Sequence, residues 1–252
     1  MADFETDIPD LGEIDVPTGL DDLLSESTRK KQVVGSWGFH SNLNFTKMST
    51  EETNVWFFEQ VFNFLRAFFG LVVPDHMEVI TYNAVKQIKK ENLNPMTFLD
   101  ELMLVMKNLN EPLWVIRLHL NLVGFLRTDW DPDNLVRFQI QEPANFVVWG
   151  GPDENGFQTF SISYALFSNQ KLKGEDSLLW SINQPLLEKA MKKWEKQSGH
   201  RIEVVRGNSK DLNLYQHGFK EPAPTGAKPF GTTQQPEEPS EDKIPDLDDL
   251  DI

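Results

Sequence analysis

Asp129-Trp130-Asp131-Pro132-Asp133 sets three acids at alternate positions, the way a calcium loop opens, because alternate carboxylates can turn their oxygens on one hard cation. The continuation excludes that loop. Its sixth position is Asn134 where glycine is needed, its twelfth is Ile140 where a bidentate carboxylate closes the cage, and Pro132 stiffens the turn. The segment therefore reads as a solvated turn leading into a strand. The five histidines (His40, His76, His119, His200, His217) include no pair at helical ligand spacing, and His119, between Leu118 and Leu120, reads as a packed histidine rather than a base. The chain has no cysteine, which excludes disulfides, zinc–thiolate sites, iron–sulfur clusters and thiol nucleophiles. It also has no Gly-x-Ser-x-Gly elbow, phosphate-cradling loop or dinucleotide fingerprint, since Gly150, Gly151 and Gly156 stand away from any strand-to-helix junction. The expectation is a protein that is not an enzyme, with no catalytic residue, cofactor or metal; an enzyme of unrecognised class is the least favoured alternative.

The segment best suited to a polyanion carries Lys189, Lys192, Lys193, Lys196, Arg201 and Arg206, interleaved with Trp194. Basic side chains neutralise phosphates, and an exposed ring can stack on a base. A competing reading is stronger: Leu186, Leu187, Ala190, Met191 and Trp194 form the apolar stripe of an amphipathic helix with a solvated basic face, on which Glu188 and Lys192 make an i, i+4 pair.

Charge is concentrated at the ends. Residues 1–27 hold nine acids and no base; residues 221–252 hold nine acids against Lys228 and Lys243. The whole chain is −15, so removing these −9 and −7 contributions leaves residues 28–220 at +1. The acidic balance describes the arms and not the core. The C-terminal arm is also rich in Pro, Gly, Thr and Gln, a composition unable to bury enough apolar area to offset its ordering entropy. The chain thus divides into an acidic, disordered N-terminal arm at 1–31, one globular core at 32–219, and an acidic Pro-rich arm at 220–252.

Both arms carry Ile-Pro-Asp-Leu, at Ile8–Leu11 and at Ile244–Leu247, the second followed by Leu250. Leu20, Leu23 and Leu24 add an i, i+3, i+4 set among acids, enough for a turn or two of amphipathic helix on a groove. A purely solvating tail gains nothing from such anchors. They point to docking on protein partners or on further copies of this chain.

The elements that would position these features begin at Ser49, where Ser49 and Glu52 form a capping box for a long helix ending near Gly70. Its apolar run Val55–Val73 includes Glu59, Gln60, Asn63 and Arg66, so it reads as a buried core helix and not a membrane span. A second helix is expected over His76–Glu91 and a third from Asn94 and Pro95 through Met106. Within residues 112–127, Ile116 to Leu122 alternates apolar and polar, yet the leucine content and length of the segment assign a fourth helix. From Asn134 the period is two, giving a β-meander through Leu166 with a turn at Gly150–Gly156. A helix over Pro185–Ser198 and a strand over Arg201–Arg206 complete the list. The fold class expected is α+β: a helical N-terminal half of three to four helices, a small antiparallel meander, one more helix and a short strand.

Lacking a basic or apolar leader, the chain is expected to be cytoplasmic or otherwise intracellular, without membrane contact. Its function is read as structural: assembly or adaptor work in which the arms dock partners through Ile8, Leu11, Leu20, Leu23, Leu24, Ile244, Leu247 and Leu250. The alternative is a nucleic-acid-associated protein, such as a viral nucleocapsid or single-strand binder, with acidic tails competing for its groove.

Overall fold

The computed structural model describes residues 35–82, 85–128, 131–152, 154–163, 167, 178–207 and 214–220. Both acidic arms, with all eight docking anchors, lie outside the described residues. So do Asp129 and Trp130.

Sheet dominates. In chain order the elements are β1 (Gly35–His40), a 3-10 turn (Phe45–Lys47), α1 (Thr50–Ala67), β2 (Val72–Thr81), β3 (Gln87–Lys90), α2 (Phe98–Lys107), β4 (Leu113–Thr128), β5 (Asp131–Gly151), β6 (Glu154–Ile162), α3 (Leu178–Ser198), β7 (Val204–Gly207), β8 (Leu214–Tyr215) and β9 (Gly218–Phe219). Seven strands form one sheet in the order β3-β2-β4-β5-β6-β1-β7, every pairing antiparallel; β8 and β9 form a separate ribbon.

This overturns the expected helical N-terminal half. His76–Glu91 contains most of β2, a turn and β3, because Met77 and Val79 face the core while Glu78 and Ile80 face outward. Residues 112–127 form β4, whose Ile116, Leu118, Leu120 and Leu122 are all buried while Arg117, His119 and Asn121 point to the other face. Alternation decides the state here. Leucine's helical preference is worth only tenths of a kcal/mol per residue, whereas burying a leucine on one face of a sheet is worth roughly 1.5–3 kcal/mol.

The capping box is present as expected: Ser49 N donates to Glu52 Oε2 at 2.8 Å, and Ser49 Oγ accepts from Glu52 N at 3.2 Å. The bond from the Ser49 backbone first, and then the Ser49 hydroxyl, hold the Glu52 carboxyl below its usual range. Asn94 caps a turn rather than α2 itself, accepting from Met96 N, so the helix starts at Phe98. Likewise α3 begins at Leu178, with Pro185 inside it, and stops before Gly199 at φ +75°.

All three described helices belong to one face of the sheet. Phe64 of α1 stacks on Phe146 of β5, centroids 3.8 Å apart and planes 7° apart, and Trp194 of α3 meets Phe64 and Phe146 edge-on. Trp37, Phe39, Phe57 and Phe160 complete an aromatic core with no exposure. One polar pair sits inside it: Gln158 Nε2 donates to Gln60 Oε1 at 2.8 Å, and Gln60 Nε2 donates to the Trp56 carbonyl.

A bulge breaks the β4–β5 hairpin. Leu120 faces Ala144 but Leu122 faces Ile140, so residues 141–143 stand opposite Asn121 alone. Just beyond it, Asn183 of α3 accepts from Phe125 N and donates to the Phe125 carbonyl, both at 2.8 Å, tying the helix to the far half of the hairpin.

Candidate functional site

Helix α1 has two apolar faces. Trp56, Phe57, Val61, Phe64 and Phe68 are buried against the sheet. Val55, Phe58, Phe62 and Leu65 form a second stripe, spaced 3-4-3, the spacing by which helices pack on other helices, and Phe69, just past the helix end, extends it. Of these, Val55 is 49%, Phe62 40% and Phe69 87% exposed.

The segment leading into α2, and α2 itself, repeat the pattern. Met96, Leu99, Met103 and Met106 are spaced 3-4-3, with Met96 89% exposed; Phe98, Leu102 and Val105 turn inward instead. The two stripes line two pockets between the helices, together the α1–α2 cleft. Its first part, about 570 Å³, is lined by Phe62, Leu65, Phe69, Met96 and Leu99; its second, about 480 Å³, by Val55, Phe58, Met103 and Met106. The lining fixes the orientation: the start of α1 adjoins the end of α2 and vice versa, so the helices are antiparallel. Asn54 holds the second end, its Oδ1 accepting from Leu113 N at 2.9 Å.

The first part of the cleft is ringed by Arg66, Arg137 and Lys193, with no carboxylate in its lining. Lys193 Nζ donates to the Arg66 carbonyl at 2.7 Å, capping the end of α1. Arg66 and Arg137 make no ion pair with any described residue. The second part has one acid, Glu51, and one base, Lys107. Both pockets are therefore mainly apolar, and the one at the Arg66 end is cationic.

The basic segment singled out in the sequence is only partly an exposed surface. Lys189, Lys193 and Lys196 are exposed at i, i+4 and i+7 on α3, a stripe that continues the cations of the cleft. Lys192 pairs with Glu188, and Arg201 and Arg206 are exposed beyond the helix. Trp194 has no exposure and packs on Phe39, so its ring is not presented for stacking.

Other polar clusters serve the fold. Glu195 accepts from Ile202 N and Gln216 Nε2 and contacts His217 at 2.8 Å, joining α3 to the β8–β9 ribbon. Burial, and then the Glu188 carboxylate, push the Tyr215 hydroxyl up to about 12, so it stays protonated and donates to Glu188. On the outer face, His76 and His119 stack across β2 and β4, and Glu78 accepts from Lys89 and Arg117. The Lys89 bond first, aided by Arg117, holds Glu78 below the usual carboxylate range. Among the described residues no three His, Asp or Glu side chains gather as a metal site would require.

Sequence reasoning passed over the cleft although its signal was there. The 3-4-3-4 spacing from Val55 is legible, but together with the buried face it makes the segment look like one helix enclosed on all sides. No family model, curated protein or solved structure matches this chain. Among the described residues no helix is long and apolar enough to cross a membrane.

Proposed function

We propose that this is a non-enzymatic assembly or adaptor protein whose α1–α2 cleft captures an acidic, apolar-anchored segment of a partner or of another copy. The observation that carries the reading is the pair of partly exposed apolar stripes ending at Arg66 and Arg137, which have no ion-pair partner among the described residues. A segment with leucine or isoleucine anchors would fill the stripes as a third helix or an extended strap, and its acids would meet the cations. Both arms of this chain have that chemistry.

The nucleic-acid alternative leans on the same cations plus Lys189 and Lys196. It is disfavoured by their setting, because the nearby exposed groups are aliphatic or thioether chains and phenylalanines arranged at helix-packing spacing, and Trp194 lies inside. Anisotropy of a labelled peptide of residues 240–252 and of a labelled single-stranded RNA, each titrated with the full chain, separates the two. Peptide binding lost in Phe69→Ser/Met96→Ser supports capture of protein segments. RNA binding without peptide binding sinks it.

A further inference from the structure

We infer that the cleft is occupied by this chain's own N-terminal segment, with Leu20, Leu23 and Leu24 seated on the α1 and α2 stripes and Asp21, which flanks that face, toward Arg66 and Arg137. The inference rests on the cleft being a segment-binding site, as proposed above, and adds its first occupant and its regulation.

Three observations select this segment. Its anchors fall at i, i+3 and i+4, the set one helical face presents to a groove, with no proline between Thr18 and Gly35 to interrupt a helix. Its charge fits: residues 1–27 have no base, while the Arg66 end of the cleft has no acid in its lining. The tether also reaches. Gly35, where β1 begins, pairs with Ile162, which pairs with Ala144, which pairs with Leu120, which pairs with Pro74 at the edge of the cleft. Four strand spacings separate Gly35 from Pro74, about 19 Å. Ten residues, 25–34, can span about 30 Å or a little more at full extension, more than the gap requires. β1 therefore begins in the cross-strand row that ends at the cleft, with enough residues before it to cross the gap.

A competitor tethered at that distance is present at an effective concentration on the order of 1 mM, so an incoming segment must displace it. Capture becomes conditional: a weak or single-anchored partner is refused, and a longer or multivalent one is admitted.

The probe is a fluorescein-labelled peptide of residues 16–28, measured by anisotropy against the full chain and against full-length Leu20→Ser/Leu23→Ser/Leu24→Ser, with light scattering on both. The expected result is monomers throughout and at least about tenfold tighter probe binding by the triple-serine chain, abolished when Phe69→Ser and Met96→Ser are added. Equal affinities would overturn self-occupancy while leaving the cleft a binding site. A wild-type oligomer that the serines dissolve would mean that the segment docks between copies, which also overturns it. No probe binding to either chain would overturn both this inference and the proposed function.

Discussion

The rings of Phe58 and Phe62 stack one turn apart on the side of α1 turned away from the sheet, centroids 6.5 Å and planes 12° apart. Phe64, two residues on, has no exposure and stacks on Phe146. The same helix thus holds phenylalanines with opposite tasks. Phe62→Ser with Phe69→Ser is expected to change stability by no more than about 1 kcal/mol, since both side chains are exposed, while segment binding falls at least about tenfold. Phe64→Ala should cost about 3–5 kcal/mol. Urea denaturation beside peptide anisotropy distinguishes the two faces; a large stability loss from the exposed pair would mean that the second stripe is core.

Gln158 and Gln60 form the polar contact within the core. Gln158→Leu strands Gln60 Oε1 without its donor and should destabilise by about 1–3 kcal/mol. Leucine at both positions should cost less than the two single changes added together, because no unpaired amide remains. A double-mutant cycle in urea gives the coupling; strict additivity would remove the pair from the account of the fold.

Acid should loosen the outer face through Glu78. Its carboxyl titrates below the ordinary value of 4.5 because Lys89, and then Arg117, favour the ionised form. A group with a depressed folded pKa stabilises fully above its unfolded value and loses that contribution as pH falls through the folded one. Stability should therefore be level above about pH 5 and decline below 4.5. Glu78→Gln should flatten part of that decline in melts taken from pH 6 to pH 3, and an unchanged profile would exclude Glu78 as a source.

Removing residues 1–27 and 221–252 takes away the acidic anchors but no described element. The resulting chain should melt cooperatively and have lost any concentration-dependent assembly seen by light scattering in the full chain. Assembly that persists undiminished would place the contacts on the core alone.

What could be read from the sequence tracks how local each signal is. The capping box at Ser49 and Glu52, the stop at Gly199 and the two-residue period after Asn134 are short-range signals, and each marks an element in the structure. β2 is hidden because its state is decided by what lies across the sheet, Met77 pairing with Leu118 and Ile80 with Val115 far away along the chain, whereas in β4 the alternation of Ile116 to Leu122 is local and visible but is outweighed by the leucine content. The cleft was half legible. The stripe on α1 and the one on α2 are each visible at helical spacing, but that nothing among the described residues fills the space between them depends on packing.

β1 sits in the sheet between β6 and β7, so Gly35 meets Ile162 on one side and Gly207 on the other. On the ribosome this first strand has no mate until more than a hundred further residues have been made, an interval of roughly 6–25 s at ordinary elongation rates. Throughout it, Trp37 and Phe39 are carried bare on the nascent chain. A message cut short before β6 therefore yields a product with an orphaned aromatic strand, prone to aggregate, and the sheet can close only once β7 has emerged.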